Sequence, residues 1–156
     1  MTEDLLPLEQ EPEVRELIAR ALAEDVGPGD ATTLALVDAN ASAAARIVAR
    51  HPVVVSGMGV AAEVFRSADP ALKVEILVPD GAEAAAGTAL LRVQGPARAL
   101  LTAERTALNL AQRMTGIATL TAQYVREIQG TKARIADTRK TTPGLRALEK
   151  AAVAAG

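Results

Sequence analysis

The sequence predicts an α/β protein, because helical and extended patterns alternate along its 156 residues. Apolar side chains recur at helical spacing in residues 12–24 and, over a much longer stretch, in residues 97–129. Residues 72–78 alternate apolar and polar side chains instead, which is typical of a half-buried strand. Residues 132–155 predict a strand, a polar loop and a helix, so a βα unit is expected at the end of the sequence.

The elements of the first half are predicted from local signals. Pro12 suits the first turn of a helix that we expect to end at Glu24, before a break rich in glycine and proline. Residues 44–55 predict a strand or a bent pair of strands, because Pro52 cannot donate a hydrogen bond to a ladder. A short helix is expected over residues 57–68.

The middle of the sequence predicts two strands and a long helical region. After the strand at residues 72–78, Pro79-Asp80-Gly81 predicts a turn, and residues 88–93 predict the next strand. The apolar stripe of residues 97–129 predicts helix throughout. Because Gly116 interrupts it, we expect two helices or one bent helix.

The last segment predicts a strand at residues 132–137, a loop at residues 139–142 and a helix at residues 143–155. A lone parallel strand cannot satisfy its ladder, and βα units normally occur in sets. Either this strand joins the earlier sheet, or the sequence stops partway through a second domain. We favour the second alternative.

Composition excludes several classes of function. The 17 basic and 19 acidic side chains nearly balance, and with one Tyr, one Phe and no Trp there is no stacking platform for nucleic acid. The absence of cysteine excludes disulfides, a thiolate nucleophile and Cys-ligated zinc. No apolar run approaches the ~20 residues of a membrane span, and the acidic start does not resemble a secretory signal. We therefore expect a soluble, cytoplasmic protein that binds neither nucleic acid nor membrane.

The most informative polar segment is residues 137–144, between the last predicted strand and helix. Ligands of α/β folds bind at the carboxyl ends of strands, where this segment is expected to lie. Thr138, Arg139 and Lys140 combine a hydroxyl, a planar guanidinium and an ammonium, which suit carboxylates or phosphates. A solvated basic loop is the alternative interpretation of the same residues.

Arg105, Asn109 and Gln112 are predicted to share one face of the long helix. That face suits an anion or a partner subunit, although by spacing alone an exposed polar face is the better explanation.

Two further groups of polar residues have an ordinary structural explanation. Glu24-Asp25 and Asp30–Thr33 flank a tight turn and could hold a metal, but helix-stop and turn chemistry explains them better. His51 is the only histidine, so a structural or surface role is expected for it.

Three stretches resemble the quinolinate phosphoribosyltransferase family in their order and spacing. They are EDVGPGDATT (residues 24–33), VPDGAEAAAGTALLRVQGPARALLTAERTALNLAQRMTGIAT (residues 78–119) and ARIADTRKTTPGLRALEKAAVAAG (residues 133–156). The resemblance covers nearly the whole chain. It implies an N-terminal α/β sandwich domain, residues 1–112, followed by the first βα unit of an incomplete α/β barrel, residues 113–156.

The resemblance also implies a function. Members transfer the phosphoribosyl group of phosphoribosyl pyrophosphate to quinolinate with Mg²⁺, losing one carboxylate, and give nicotinate mononucleotide, pyrophosphate and CO₂ in NAD biosynthesis. They are homodimers with shared active sites. By this resemblance Thr138, Arg139 and Lys140 bind substrate, and Arg105 reaches the active site of the partner.

The resemblance leaves part of the site unassigned. The family's His-Arg pair, a further Lys and the acidic metal-binding residues correspond to positions beyond Gly156. Catalytic residues and metal ligands are therefore unknown here, and we expect the 156-residue fragment alone to be inactive.

Three alternatives compete with this assignment. Residues 72–96 resemble half of a biotinyl/lipoyl-type binding module, although none of the four lysines has the neighbours that such carriers need at the modified position (Lys73, Lys132, Lys140 and Lys150). A molybdenum-transport-associated paralogue and a non-catalytic dimerisation fragment also fit the sequence.

Overall fold

The computed structural model describes residues 6–27 and 29–156. It combines helices with strands, which confirms the predicted α/β class. In chain order the elements are a short 3₁₀ helix (Leu8–Gln10), α1 (Pro12–Val26), α2 (Ala31–Leu36), β1 (Ser42–Val48), β2 (Val53–Val54), α3 (Met58–Ala68), β3 (Lys73–Ile76), β4 (Glu83–Ala84), β5 (Ala89–Pro96), α4 (Ala97–Glu127) and α5 (Arg146–Ala155).

The strands form two antiparallel sheets, one of three strands in the order β1-β5-β3 and one of two strands, β2-β4. In the central strand β5, Leu91 and Val93 are buried, whereas Arg92 and Gln94 are exposed. This alternation follows from the two-residue period of a strand with one face on the core. Helices α3 and α4 pack on this sheet, and α1 packs on α3 and α4.

The long helix α4 runs without a break for 31 residues, so the first of the two alternatives at Gly116, a separation into two helices, is wrong. A glycine inside a helix costs only about 1 kcal/mol relative to alanine. Packing outweighs that cost here, because buried Met114 and Ala118 continue the apolar stripe on both sides. The expected domain boundary between residues 112 and 113 falls inside α4, and this division stays a prediction. Although α4 is long, no helix among the described residues is both long and apolar enough to cross a membrane.

The segment predicted as the last strand is not a strand in the described structure. Residues 132–137 have no regular secondary structure, and every residue from 131 to 140 is exposed. An extended segment becomes a strand only when another strand supplies hydrogen bonds, and neither sheet extends to this one. The last helix also begins later than predicted, at Arg146, because residues 142–145 form a turn in which the Leu145 N–H donates to the Thr142 carbonyl.

Most of the other predicted elements are confirmed, with changes at their ends. The strand at residues 72–78 is shortened to β3, and the pair predicted over residues 44–55 separates into β1 and β2 of different sheets. Helix α1 ends at Val26 with Gly27 at φ +51°, so the predicted break is present, although Pro28 within it lies outside the described residues. The short elements α2 and β4 were not predicted.

The turn at residues 79–81 is confirmed, and it caps α3. The backbone N–H groups of Gly57 and Met58 donate to the Asp80 carboxylate at 2.8 and 3.0 Å. A carboxylate at a helix N-terminus satisfies otherwise unpaired donors and complements the helix dipole. Asp80 thus joins the β3–β4 connection to the first turn of α3.

Gly57 lies at the start of α3 in close contact with α4. Its φ of +91° is unfavourable for other residues, and a Cβ there would lie 2.8 Å from Sδ of Met114 and 3.3 Å from Cα of Ala111. Gly87 has a similar φ of +86°, but a Cβ there would meet nothing within 4 Å. The two glycines therefore separate backbone strain from loss of packing space.

We expect Gly57→Ala to lower the free energy of unfolding by about 2–5 kcal/mol, because positive φ and overpacking add. Gly87→Ala is the matched control and should lower it by about 1–2 kcal/mol, from backbone strain alone. Denaturant unfolding of the purified variants measures both values. Equal losses would contradict the close approach of α3 and α4 at Gly57.

Candidate functional site

Three of the predicted site residues lie together on the exposed loop that precedes α5. The Lys140 N–H donates to Oγ1 of Thr138 at 3.0 Å, which closes a small turn with Arg139 at its centre. All three side chains are exposed. The loop therefore presents adjacent guanidinium and ammonium groups to solvent.

The loop is attached to α5 at both ends. At its start, the Asp137 carboxylate forms an ion pair with Nζ of Lys150. At its end, the Thr142 N–H donates to Oε2 of Glu149 at 3.2 Å. The cationic turn lies between these two attachments.

Glu149 also contacts α4. Arg113 donates to Oε1 of Glu149 through Nε at 3.1 Å and through Nη2, and its Nη2 also bonds the Thr142 hydroxyl. The hydrogen bond from Arg113 is the main reason that the pKa of Glu149 lies below its ordinary value; Thr142 lowers it further, and partial burial opposes the shift. Glu149 is thus a carboxylate that joins the loop, α4 and α5.

Arg105, the fourth predicted site residue, lies nearer the start of α4 and is anchored there by Asp25. Its Nε donates to both carboxylate oxygens of Asp25, at 3.0 and 3.1 Å, while 62% of its side chain remains exposed. Within the described part of the chain, its two terminal nitrogens form no hydrogen bond. The edge of the guanidinium that suits bidentate binding of an anion is therefore available.

The EDVGPGDATT motif lies beside Arg105 and acts as a capping and pairing motif. Asp30 caps α2 by accepting hydrogen bonds from the hydroxyl and the N–H of Thr33. These bonds lower the pKa of Asp30, with a smaller effect from the charge of Arg105. Among residues 6–27 and 29–156, no group of three or more acidic or histidine side chains could hold a metal ion. Capping accounts for the contacts of Asp30 with Thr33, whereas Asp25 pairs with the distant Arg105.

Arg105 and the loop form two separate clusters along α4 in one copy of the chain. Arg113, which contacts the loop, follows Arg105 by eight residues, or about 12 Å of helix axis. Arg105, Asn109 and Gln112 were predicted to share one face of the helix. In the structure Arg105 and Gln112 have different surroundings, because Gln112 lines a groove against β1 whereas Arg105 pairs with Asp25.

Two grooves lie beside these clusters. One of about 670 Å³ lies between α1 and residues 141–151. The other, of about 970 Å³, lies between α4 and residues 46–53, and His51 is on its rim. Neither is lined by Arg105, Thr138, Arg139 or Lys140. The substrate-binding roles of these four residues stay predictions.

The sequence analysis missed the residues that hold the site residues in place. Asp25 is 80 positions from Arg105, and Arg113 is 36 positions from Glu149, so no local spacing could reveal these pairs. The one local signal was the Asp30–Thr33 spacing, which is typical of a helix N-cap and would have predicted α2.

Comparison with known proteins supplies the wider context. The profile of "Quinolinate phosphoribosyl transferase, N-terminal domain" matches residues 30–115, and that of the C-terminal domain of the same family matches residues 117–156. The nicotinate-nucleotide pyrophosphorylase [carboxylating] of Mycobacterium leprae is 50% identical in an alignment of 147 residues that covers 91% of this chain and 51% of the relative. The probable enzyme of the same name from Synechocystis is 44% identical over 83% of this chain and 43% of its own length.

Solved structures agree with the sequence matches. The nicotinate-nucleotide pyrophosphorylase of Francisella tularensis superposes with a TM-score of 0.88 at 33% identity, over 98% of this chain and 54% of its own. NadC from Streptococcus pyogenes superposes with a TM-score of 0.89 at 36% identity, over 99% of this chain and 54% of its own. This chain spans about half the length of the relatives that it matches.

Proposed function

Because the chain belongs to the quinolinate phosphoribosyltransferase family, we propose that it forms part of an enzyme that transfers the phosphoribosyl group of phosphoribosyl pyrophosphate to quinolinate. In the proposed reaction the ring nitrogen bonds to the anomeric carbon, pyrophosphate leaves, and the carboxylate next to the nitrogen is lost as CO₂ while a proton takes its place on the ring carbon. The product is nicotinate mononucleotide, an intermediate of NAD biosynthesis. We expect this enzyme to act in the cytoplasm.

The single observation that best supports this proposal is the exposed cationic turn at residues 138–140. Arg139 and Lys140 form no ion pair with any described acidic residue, so their charges are available to a ligand. Quinolinate is a dianion, and a guanidinium can bind a carboxylate through two parallel hydrogen bonds. The ammonium of Lys140 suits a second carboxylate or a phosphate oxygen.

We infer that the working enzyme is a homodimer in which Arg105 completes the site of the partner subunit. Arg105 exposes its terminal nitrogens but lies in a cluster separate from the cationic turn of its own chain. Exposed Val48 and Leu120 on the larger groove offer an apolar surface to a second copy. A shared site would bring Arg105 of one copy to the cationic turn of the other.

In the proposed reaction these residues act by binding and electrostatics. Positive charge develops at the ribose carbon while negative charge leaves with pyrophosphate, so fixed cations and correct orientation lower the barrier. Mg²⁺ remains part of the proposal, and we assign it no ligand here, because the described residues contain no group of three or more acidic or histidine side chains that could hold it. We therefore derive no step through the metal.

The test is product formation by the family-length enzyme, meaning this sequence continued by the rest of the family's C-terminal domain. We expect quinolinate and phosphoribosyl pyrophosphate to yield nicotinate mononucleotide, pyrophosphate and CO₂ in equal amounts, measured by chromatography and CO₂ release. The 156-residue chain alone should show no steady turnover. Failure of the family-length enzyme to form the nucleotide would overturn the proposed function, and quinolinate binding without turnover would favour a binding fragment.

A further inference from the structure

The cationic turn is held by two consecutive residues of α5. Lys150 forms an ion pair with Asp137 before the turn, and Glu149 accepts the Thr142 N–H after it. Adjacent residues of one helix therefore control both ends of the segment that carries Arg139 and Lys140.

The two oxygens of Glu149 have different partners. Oε1 accepts from Nε and Nη2 of Arg113 on α4, whereas Oε2 accepts from the backbone of Thr142 on the loop. The Glu149 side chain is only 14% exposed, although its partners Arg113 and Thr142 both reach solvent. A carboxylate is needed for this arrangement, because an amide would turn one donor group toward Arg113 or Thr142.

Burial does not explain why this segment keeps its conformation. Residues 131–140 are all exposed and contribute nothing to the core, so packing places no constraint on Arg139 or Lys140. Ordering such a loop opposes ligand binding unless the protein has already fixed its conformation. The bonds at Asp137 and Thr142 supply that constraint.

We propose that Glu149 is a positioning residue for substrate binding, which holds the loop against α4 so that Arg139 and Lys140 keep the spacing that a dianion requires. This inference rests on the proposed function. Arg113 takes part by joining Glu149 to α4, and the charges of these two side chains neutralise each other.

The test compares Glu149→Gln with Glu83→Gln in the family-length enzyme. Glu83 forms an ion pair with Arg126 of α4, but both side chains are mostly exposed and Glu83 lies on β4, so the control removes the same charge without touching the loop. We expect Glu149→Gln to raise the KM and the Kd for quinolinate about tenfold with a smaller change in kcat. Glu83→Gln should match the wild type.

Hydrogen exchange provides a readout that does not depend on activity. The Thr142 amide should exchange faster in Glu149→Gln, while amides of α3 keep the rates of the wild type. Asp137→Asn releases the other end of the loop without touching α4, and it should weaken quinolinate binding in the same direction. Unchanged quinolinate affinity in both loop variants would overturn the inference.

A double-mutant comparison separates this inference from the proposed function. Arg139→Lys should weaken quinolinate binding yet leave it measurable, and Glu149→Gln should have a smaller additional effect in that background if it acts through Arg139. Full additivity would contradict positioning of Arg139. Wild-type affinity in Arg139→Lys itself would instead count against the proposed function.

Discussion

We expect Arg139→Ala to weaken quinolinate binding by the family-length enzyme at least about a hundredfold while leaving the fold intact. A charge-assisted hydrogen bond contributes about 1.5–3 kcal/mol, and a guanidinium can supply two to one carboxylate. Arg139 is exposed and pairs with no described acidic residue, so its removal breaks no contact within the chain. Titration calorimetry measures the affinity, and thermal unfolding checks the fold.

Arg134→Ala is the matched control for this variant. Arg134 is an exposed arginine in the same irregular segment, five positions before Arg139, and its removal changes the net charge equally. We expect Arg134→Ala to bind quinolinate as the wild type does. Equal affinities in the two variants would show that general charge, and not the position of Arg139, determines binding.

We expect Arg105→Ala and Arg139→Ala to be nearly inactive alone and to recover activity when their subunits are mixed. A mixed dimer has one site that contains both substitutions and one site in which Arg105 and Arg139 are intact, contributed by different subunits. Random exchange makes half of the dimers mixed, so activity should return to about a quarter of the wild-type level. Steady-state assays after dissociation and reassociation measure this recovery.

A double variant controls for nonspecific effects of mixing. Subunits that carry both Arg105→Ala and Arg139→Ala, mixed with Arg139→Ala, contain no intact shared site and should remain inactive. Recovery in this control, or no recovery in the first mixture, would contradict a site shared between subunits.

The sequence predicts the helices best where an apolar stripe is long. Helices α1, α3 and α4 follow from helical spacing, because each buries one face against the core and that periodicity is local. Because of Gly116 the sequence analysis allowed for two separate helices, whereas α4 is continuous through this residue. A local helix breaker was outweighed by packing on both sides of it.

The strands are less predictable because their pairing is not local. Residues 132–137 have the composition of a strand, yet no described strand lies beside them to supply a ladder. Conversely, β2 and β4 are two residues each and exist only through pairing with one another. Composition alone could not distinguish these cases.

The candidate site was likewise predictable only in part. The cationic chemistry of Arg139 and Lys140 is evident in the sequence, because two adjacent basic side chains need no partner to be recognised. The anchoring of the loop through Arg113 and Glu149, and that of Arg105 through Asp25, depends on folding that joins residues 36 and 80 positions apart.

The sequence by itself determined the mixed helical and extended character of this protein, its main helices and the cationic residues that we propose bind an anion. The tertiary structure alone decided which strands pair, where α5 begins and which carboxylates hold the cations. The physical reason is the distance along the sequence between the residues that interact. Periodicity and side-chain charge are properties of neighbouring residues, whereas ladders, ion pairs and close helix contacts require distant segments to meet.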